Sequence, residues 1–240
     1  YWASGTGSGK VLQFENKFRE YLGSDQCIAV NSGTAALNLS LSLLNIKNKE
    51  VILPSLSFVS TAHAVTLNGG IPIFVDVDAE TCCIDPKQIR KSISKKTAAI
   101  LPVHFAGMAC NMDKILDICK ENNIQLIEDA AHASGAKHNH KKIGRHGMAI
   151  CFSFHPVKNI AMLTGGLISI NHKKHKKLKK LLNERRWCGI TNRLGLTYDV
   201  KEIGWNYYMN ELSAALGLIQ LKKLDRLNRI RNNIAKRYNN

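Results

Sequence analysis

The sequence predicts an α/β protein, an αβα sandwich whose central sheet is mostly parallel and carries helices on both faces. Three observations support that expectation. From Cys27 to Ile127, short apolar runs alternate with longer helix-period stretches, the strand-helix-strand rhythm that builds parallel sheets. Apolar residues make up 45% of the 240 residues, enough to bury the core of one large domain. No internal repeat or low-complexity linker interrupts the pattern before a long C-terminal helical stretch.

The elements follow in order. Cys27-Ile28-Ala29-Val30 reads as a strand and Ala35 to Leu44 as a helix; Val51-Ile52-Leu53 precedes a helix over Val59 to Leu67. Ile71 to Val75 is the next strand, followed by a helix over Pro86 to Ile93 and a strand over Ala98 to Val103. A helix over Met112 to Glu121 leads into the strand Gln125-Leu126-Ile127. After Asp129 the rhythm changes. Met148 to Phe154 and Gly166 to Ile170 stand close together with no helix between them, so an antiparallel pair is expected. A helical pattern then runs from about Met209 to Tyr238. These features imply a large domain over residues 1–208, with residues 209–240 a connecting helix and the start of a smaller, truncated C-terminal domain.

Composition narrows the function classes. The formal charge is +16, densest between Asn171 and Arg186, where the run His172-Lys173-Lys174-His175-Lys176-Lys177 stands. Leu178, Leu181 and Leu182 in the same stretch suggest a solvated helix with an apolar underside. No aromatic interleaving or zinc-finger spacing accompanies the charge, so nucleic acid is not an expected partner. The seven cysteines form no CxxC pair and read as reduced core thiols. No apolar run reaches the roughly 18 residues of a membrane span, and Tyr1-Trp2-Ala3-Ser4-Gly5 lacks the basic start and apolar stretch of a signal peptide. A cytoplasmic protein is expected.

Three stretches carry chemistry. Val30 to Leu37, with Asn31-Ser32-Gly33-Thr34 at its turn, joins a strand to a helix N-terminus, where backbone N–H groups and the helix dipole favour phosphate. Small residues at such junctions also occur for packing alone. Ile127-Glu128-Asp129-Ala130-Ala131-His132 places a carboxylate at the C-terminal end of a strand, where open α/β sheets bind ligands. Asp129 there suits a protonated ring nitrogen, or else a helix N-cap. Cys151 to Ile160 sets Lys158 just after a buried strand and ahead of Gly165-Gly166. Partial desolvation there lowers a lysine's pKa and makes its amine nucleophilic.

Together with Pro54 to Ala62, Pro102 to Gly107 and Gly204 to Gly217, these ordered motifs resemble the DegT/DnrJ/EryC1/StrS family of pyridoxal-phosphate-dependent sugar aminotransferases, which have the fold type I architecture. The resemblance spans nearly the whole chain. It implies pyridoxal 5′-phosphate as cofactor, with Lys158 its covalent attachment point and proton shuttle, and Asp129 the partner of the pyridinium nitrogen. It further implies that Phe58 stacks on the cofactor face, although an ordinary core phenylalanine is the alternative. His132 would lie near the cofactor's O3′, and Thr34, Ala35 and Ser153 would form the phosphate cup. Asn206 would reach the phosphate from the neighbouring subunit of a homodimer. The implied reaction transfers an amino group from a donor such as L-glutamate to a keto sugar nucleotide. Another cyclic ketone such as a keto-inositol, or a non-catalytic relative, is the alternative. Three departures from the family pattern stand out: Thr164 is followed by no glutamate, and Trp205 and Tyr208 stand where tyrosine and arginine are common.

Overall fold

In the computed structural model, residues 9–194 and 196–239 are described; the Tyr1-to-Gly5 segment weighed above as a signal peptide lies outside them. The helices are α1 (Gly9–Leu22), α2 (Gly33–Ser42), α3 (Val59–Leu67), α4 (Pro86–Ser92), α5 (Met112–Asn122), α6 (His175–Arg185) and α7 (Glu211–Tyr238). The strands are β1 (Gln26–Val30), β2 (Glu50–Pro54), β3 (Ile71–Val75), β4 (Thr97–Ile100), β5 (Gln125–Asp129), β6 (Lys137–His138), β7 (Lys141–Lys142), β8 (Ala149–Ser153), β9 (Gly166–Ile170), β10 (Ile190–Leu194) and β11 (Thr197–Val200).

Seven strands form one sheet in the order β1-β9-β8-β5-β4-β2-β3. The pairs β2–β3, β2–β4, β4–β5 and β5–β8 are parallel, because each connection is long enough to cross over the sheet. β8 and β9 are antiparallel in register, Ala149 opposite Ile170 and Ser153 opposite Gly166, as the missing intervening helix requires. The first strand departs from the expected parallel rhythm. β1 pairs only with β9, and antiparallel, because β9 has already returned beside β8 and leaves that edge to it. The two short hairpins, β6–β7 and β10–β11, carry no apolar alternation long enough to read in advance.

Period-two alternation divides the core into two layers. Leu126, Ile150 and Phe152 face α1, α5 and α7, where Phe14, Phe18, Ile115 and Leu224 meet them. Ile127, Ala149 and Cys151 face the opposite layer with Leu37 and Leu39 of α2 and Leu182 of α6. The helix α1, which no pattern above marks, brings Glu15 into the core. There Arg186 Nη1 donates to Glu15 Oε1 at 2.7 Å and to the Ala29 carbonyl at 2.8 Å, while the Ala29 N–H donates to the same Glu15 oxygen at 2.9 Å. Basic residues of α6 are mostly exposed, as the sequence suggests, but Arg186 at its end is only 1% exposed and belongs to the interior. Two of the seven cysteines also depart from the expected core placement: Cys188 is exposed and Cys82 half-buried. Among the described residues, no helix is long and apolar enough to cross a membrane.

Candidate active site

The C-terminal ends of β5 and β8 and the N-termini of α2 and α3 converge on one cleft of about 330 Å³, lined among others by Thr34, Phe58, Asp129, His132, Ser153 and Lys158. That volume is the size of a small-molecule site. Six of the eight residues singled out from the sequence therefore share a single cavity, although they come from four separate stretches of chain.

The floor is set by backbone proximity. Ser32 caps α2, its Oγ accepting the Ala35 N–H at 3.0 Å. This bond uses the Ala35 amide, and the Ala35 side chain is buried rather than in the cleft wall. Gly33 sits so close to β8 that an added Cβ would lie 2.8 Å from the Ser153 Cβ. An added Cβ on Gly166 would lie 2.2 Å from the Ser32 carbonyl oxygen. These contacts press the helix N-terminus against Ser153, so N–H groups and a hydroxyl meet at one end of the cleft, the chemistry of an anion cradle.

Asp129 lies in the middle, 5% exposed. Its Oδ2 accepts from Thr61 Oγ1 at 2.9 Å and its Oδ1 from the Ala131 N–H at 3.0 Å. Thr61 is in turn 2.7 Å from Ser57 Oγ. Burial pushes the Asp129 carboxyl above the ordinary aspartate range, opposed by the Ala131 and Thr61 hydrogen bonds. No helix follows Asp129 directly, so it is not the N-cap that was its alternative. A buried carboxylate that borders an open cleft is a seat for a cation.

Lys158 enters from the turn after β8, where its N–H donates to the His155 carbonyl at 2.8 Å. Half-burial lowers its pKa, with nearby Asp129 acting the other way, so a larger fraction of the amine is unprotonated than in water. His132 is half-buried, and burial and then Lys158 lower its pKa while Asp129 opposes them. Phe58 is 73% exposed at the start of α3. That exposure excludes the ordinary core phenylalanine and leaves an aromatic face on the cleft wall.

Asn206 is elsewhere. It is exposed, its carbonyl accepts from Asn31 Nδ2 at 3.2 Å, and its backbone bridges to Trp187. Thr61, fully buried behind the cleft, is a partner of Asp129 that sequence reasoning missed. Its signal was present, since it falls one helical turn after Phe58 in α3, but no local pattern pairs it with Asp129 68 residues later.

A buried carboxylate, a lysine of lowered basicity, an exposed aromatic face and an anion cradle suit a flat, cationic, phosphate-bearing ring. Pyridoxal phosphate fits that description. Among the described residues no cluster of His, Cys, Asp and Glu could hold a metal.

Comparison with known proteins agrees with this chemistry. Residues 2–240 match the model of the DegT/DnrJ/EryC1/StrS aminotransferase family. The chain is 40% identical over 236 residues to MJ1066, an uncharacterised protein of Methanocaldococcus jannaschii, matching 96% of this chain and 61% of that protein. It is 37% identical over 235 residues to the spore coat polysaccharide biosynthesis protein SpsC of Bacillus subtilis, matching 95% of this chain and 60% of SpsC. The chain thus spans about three-fifths of the length of these relatives. The putative sugar aminotransferase Spr1654 of Streptococcus pneumoniae, solved with pyridoxamine phosphate and with pyridoxal phosphate, superposes with a TM-score of 0.93 at 26% identity, over 99% of this chain and 64% of that one.

Proposed function

This chain belongs to the DegT/DnrJ/EryC1/StrS aminotransferase family, and from that premise we propose that it is the large domain of a pyridoxal-phosphate-dependent aminotransferase acting on a keto sugar nucleotide. The observation that carries the reading is the meeting of Lys158 and Asp129 in one cleft with an aromatic wall and an anion cradle. The amino donor is an amino acid, for which L-glutamate is our choice, and the product feeds amino-sugar and surface-polysaccharide synthesis. The names of SpsC and Spr1654 support this substrate class.

When bound, the cofactor supplies an electron sink and a temporary store for the amino group. The chain's residues do the rest. Lys158 Nζ, its basicity lowered by partial burial, would anchor the cofactor and then carry a proton at the substrate α-carbon. Asp129 holds the proton on the ring nitrogen through a charge-assisted contact worth roughly 1.5–3 kcal/mol. Occupation by that cation removes the cost of burying an anion alone. Phe58 would stack on the face of the ring and keep it oriented. Thr34 and Ser153 hold the phosphate, Ala35 orders the same helix start through Ser32, and His132 faces the ring oxygen. We further propose a cytoplasmic homodimer, in which Asn206 serves the partner's phosphate site; its position outside its own cleft supports that assignment. The domain division at residue 208 fits the start of α7, whose last turns are exposed.

The test is the absorption spectrum of the full-length protein with added pyridoxal phosphate, before and after L-glutamate, followed by borohydride trapping and peptide mapping. Cofactor trapped on Lys158, with a band that bleaches on adding glutamate, is the expected result. Lys158→Ala is expected to lose both the trapped adduct and turnover. Undiminished turnover in that variant would sink the proposal, and a wild-type protein that traps nothing would point to a non-catalytic relative.

A further inference from the structure

Behind the cleft, on the opposite side of β5, lies a second set of buried polar groups that the proposed chemistry does not use. His104 is fully buried. Its Nδ1 accepts the Cys110 N–H at 3.1 Å, and its Nε2 lies 2.9 Å from Glu128 Oε2. A ring nitrogen that accepts an N–H carries no proton. The ring is therefore neutral, protonated on Nε2, and donates to Glu128. The other Glu128 oxygen accepts the Gly147 N–H. Both ring nitrogens of His104 and both oxygens of Glu128 thus have a named partner.

The His104 backbone anchors the start of the turn that follows, and its ring holds the Cys110 N–H beyond the turn's end. The His104 N–H donates to the Asp129 carbonyl at 3.0 Å, and its own carbonyl accepts the Gly107 N–H at 3.2 Å. Within that turn Ala106 and Gly107 both take positive φ, +50° and +89°. This is a backbone conformation that alanine adopts only when its surroundings impose it. The result is that the Ala106 N–H donates to His132 Nδ1 at 3.2 Å. The Phe105 ring stands edge-on to the imidazole at 6.0 Å, and an added Cβ on Gly107 would lie 3.2 Å from the His132 carbonyl oxygen. His132 therefore has its Nδ1 occupied by a donor, and the residue lines the cleft.

We propose that His104 and Glu128 are positioning residues, which hold the Phe105–Gly107 turn so that the Ala106 N–H locks His132 as the neutral Nε2–H tautomer. The locked ring is a one-way hydrogen-bond donor for an anionic ring oxygen in the cleft. Protonation of His132 would set two N–H groups against each other at Nδ1, so the turn also disfavours the imidazolium. The charged groups facing His132 are Lys158, which acts in the same direction, and Asp129, which opposes it. The identity of the oxygen rests on the function proposed above; the tautomer does not.

The experiment is a long-range ¹H–¹⁵N correlation spectrum of the full-length, cofactor-free protein labelled at histidine, with His132→Gln used to assign the His132 signals. In the wild type we expect Nδ1 bare and Nε2 protonated as a single tautomer. In His104→Leu we expect a mixture of tautomers and an upward shift in the His132 titration midpoint. His104→Gln, whose amide can both donate to Glu128 and accept from Cys110, is expected to restore the single tautomer. If His104→Leu yields no folded protein, Glu128→Gln is read the same way, with partial loss of the single tautomer expected. A wild-type His132 protonated on Nδ1, or a folded His104→Leu variant with unchanged tautomer and midpoint, would overturn the proposal. Adding pyridoxal phosphate afterwards separates the two readings. A correct tautomer with no cofactor band would leave the positioning role standing and defeat the aminotransferase reading, and the reverse pattern would do the opposite.

Discussion

Glu128 and Asp129 are neighbours on β5, both buried, yet they occupy two chemically different regions. Strand geometry turns Glu128 toward the layer of Leu126 and α5, and Asp129 toward the layer of Ile127 and the cleft. Glu128 meets a neutral imidazole and a backbone amide, one donor to each oxygen, and is fully buried. Asp129 meets one hydroxyl and one amide, and beyond them an open cavity. Burial alone therefore does not mark a functional carboxylate. The distinguishing feature is a charge that faces space where a ligand can supply a further partner.

Three substitutions exploit that contrast. The largest effect is expected from Glu128→Leu, which strands the His104 Nε2–H and the Gly147 N–H in the interior. The loss should be about 2–6 kcal/mol of stability, about 1–3 for each stranded donor, seen as a lower midpoint in urea unfolding with or without cofactor. A variant that unfolds like the wild type would mean that the Glu128 region is not the closed structural cluster described.

Asp129→Asn should behave differently. Its carboxyl has a raised pKa in the folded chain, because burial disfavours the charged form. An acid whose pKa rises on folding stabilises the fold below the unfolded carboxylate range, and that contribution is lost as pH rises through the folded value. At neutral pH, removing the charge is thus expected to raise the melting temperature of the cofactor-free protein. The same change should weaken pyridoxal phosphate binding by about 10- to 100-fold, the equivalent of one charge-assisted contact. Thermal melts and cofactor titrations of the same samples check both signs. A uniform drop in the two would place Asp129 in the structural class with Glu128.

Thr61→Val carries the smallest expected effect. It removes one hydrogen bond to the Asp129 carboxylate at nearly constant volume, so cofactor affinity should fall by less than about 10-fold. The Asp129 pKa should rise further, since a donor to its charged form is lost. A pH series of cofactor binding would register the shift, and an unchanged series would remove Thr61 from the site.

Much of the fold was legible because its signals are local. The strands from Cys27 to Ile127 and the helices between them are written as apolar runs and helix-period stretches within about ten residues of one another. The antiparallel β8–β9 pair was legible from a missing helix. α1 was not, because it stands before the first strand and its amphipathic pattern alternates with Glu15, a charged residue that faces inward. The edge position of β1 was hidden for another reason, since pairing partners 140 or so residues apart leave no trace in local periodicity.

For the candidate site, sequence determined the residue types and their places at strand ends and helix starts: Lys158 after β8, Asp129 at the tip of β5, and the small residues that allow α2 to approach Ser153. Those are covalent facts with short-range consequences. Only the tertiary structure decided which groups meet. Thr61 reaches Asp129 from 68 residues away, and Arg186 finds Glu15 across 171 residues. The Ala106 amide, and no side chain, occupies His132 Nδ1. Hydrogen bonds act over about 3 Å, so their pairing is settled by how the layers of the sandwich close, a property that no single segment of the chain encodes.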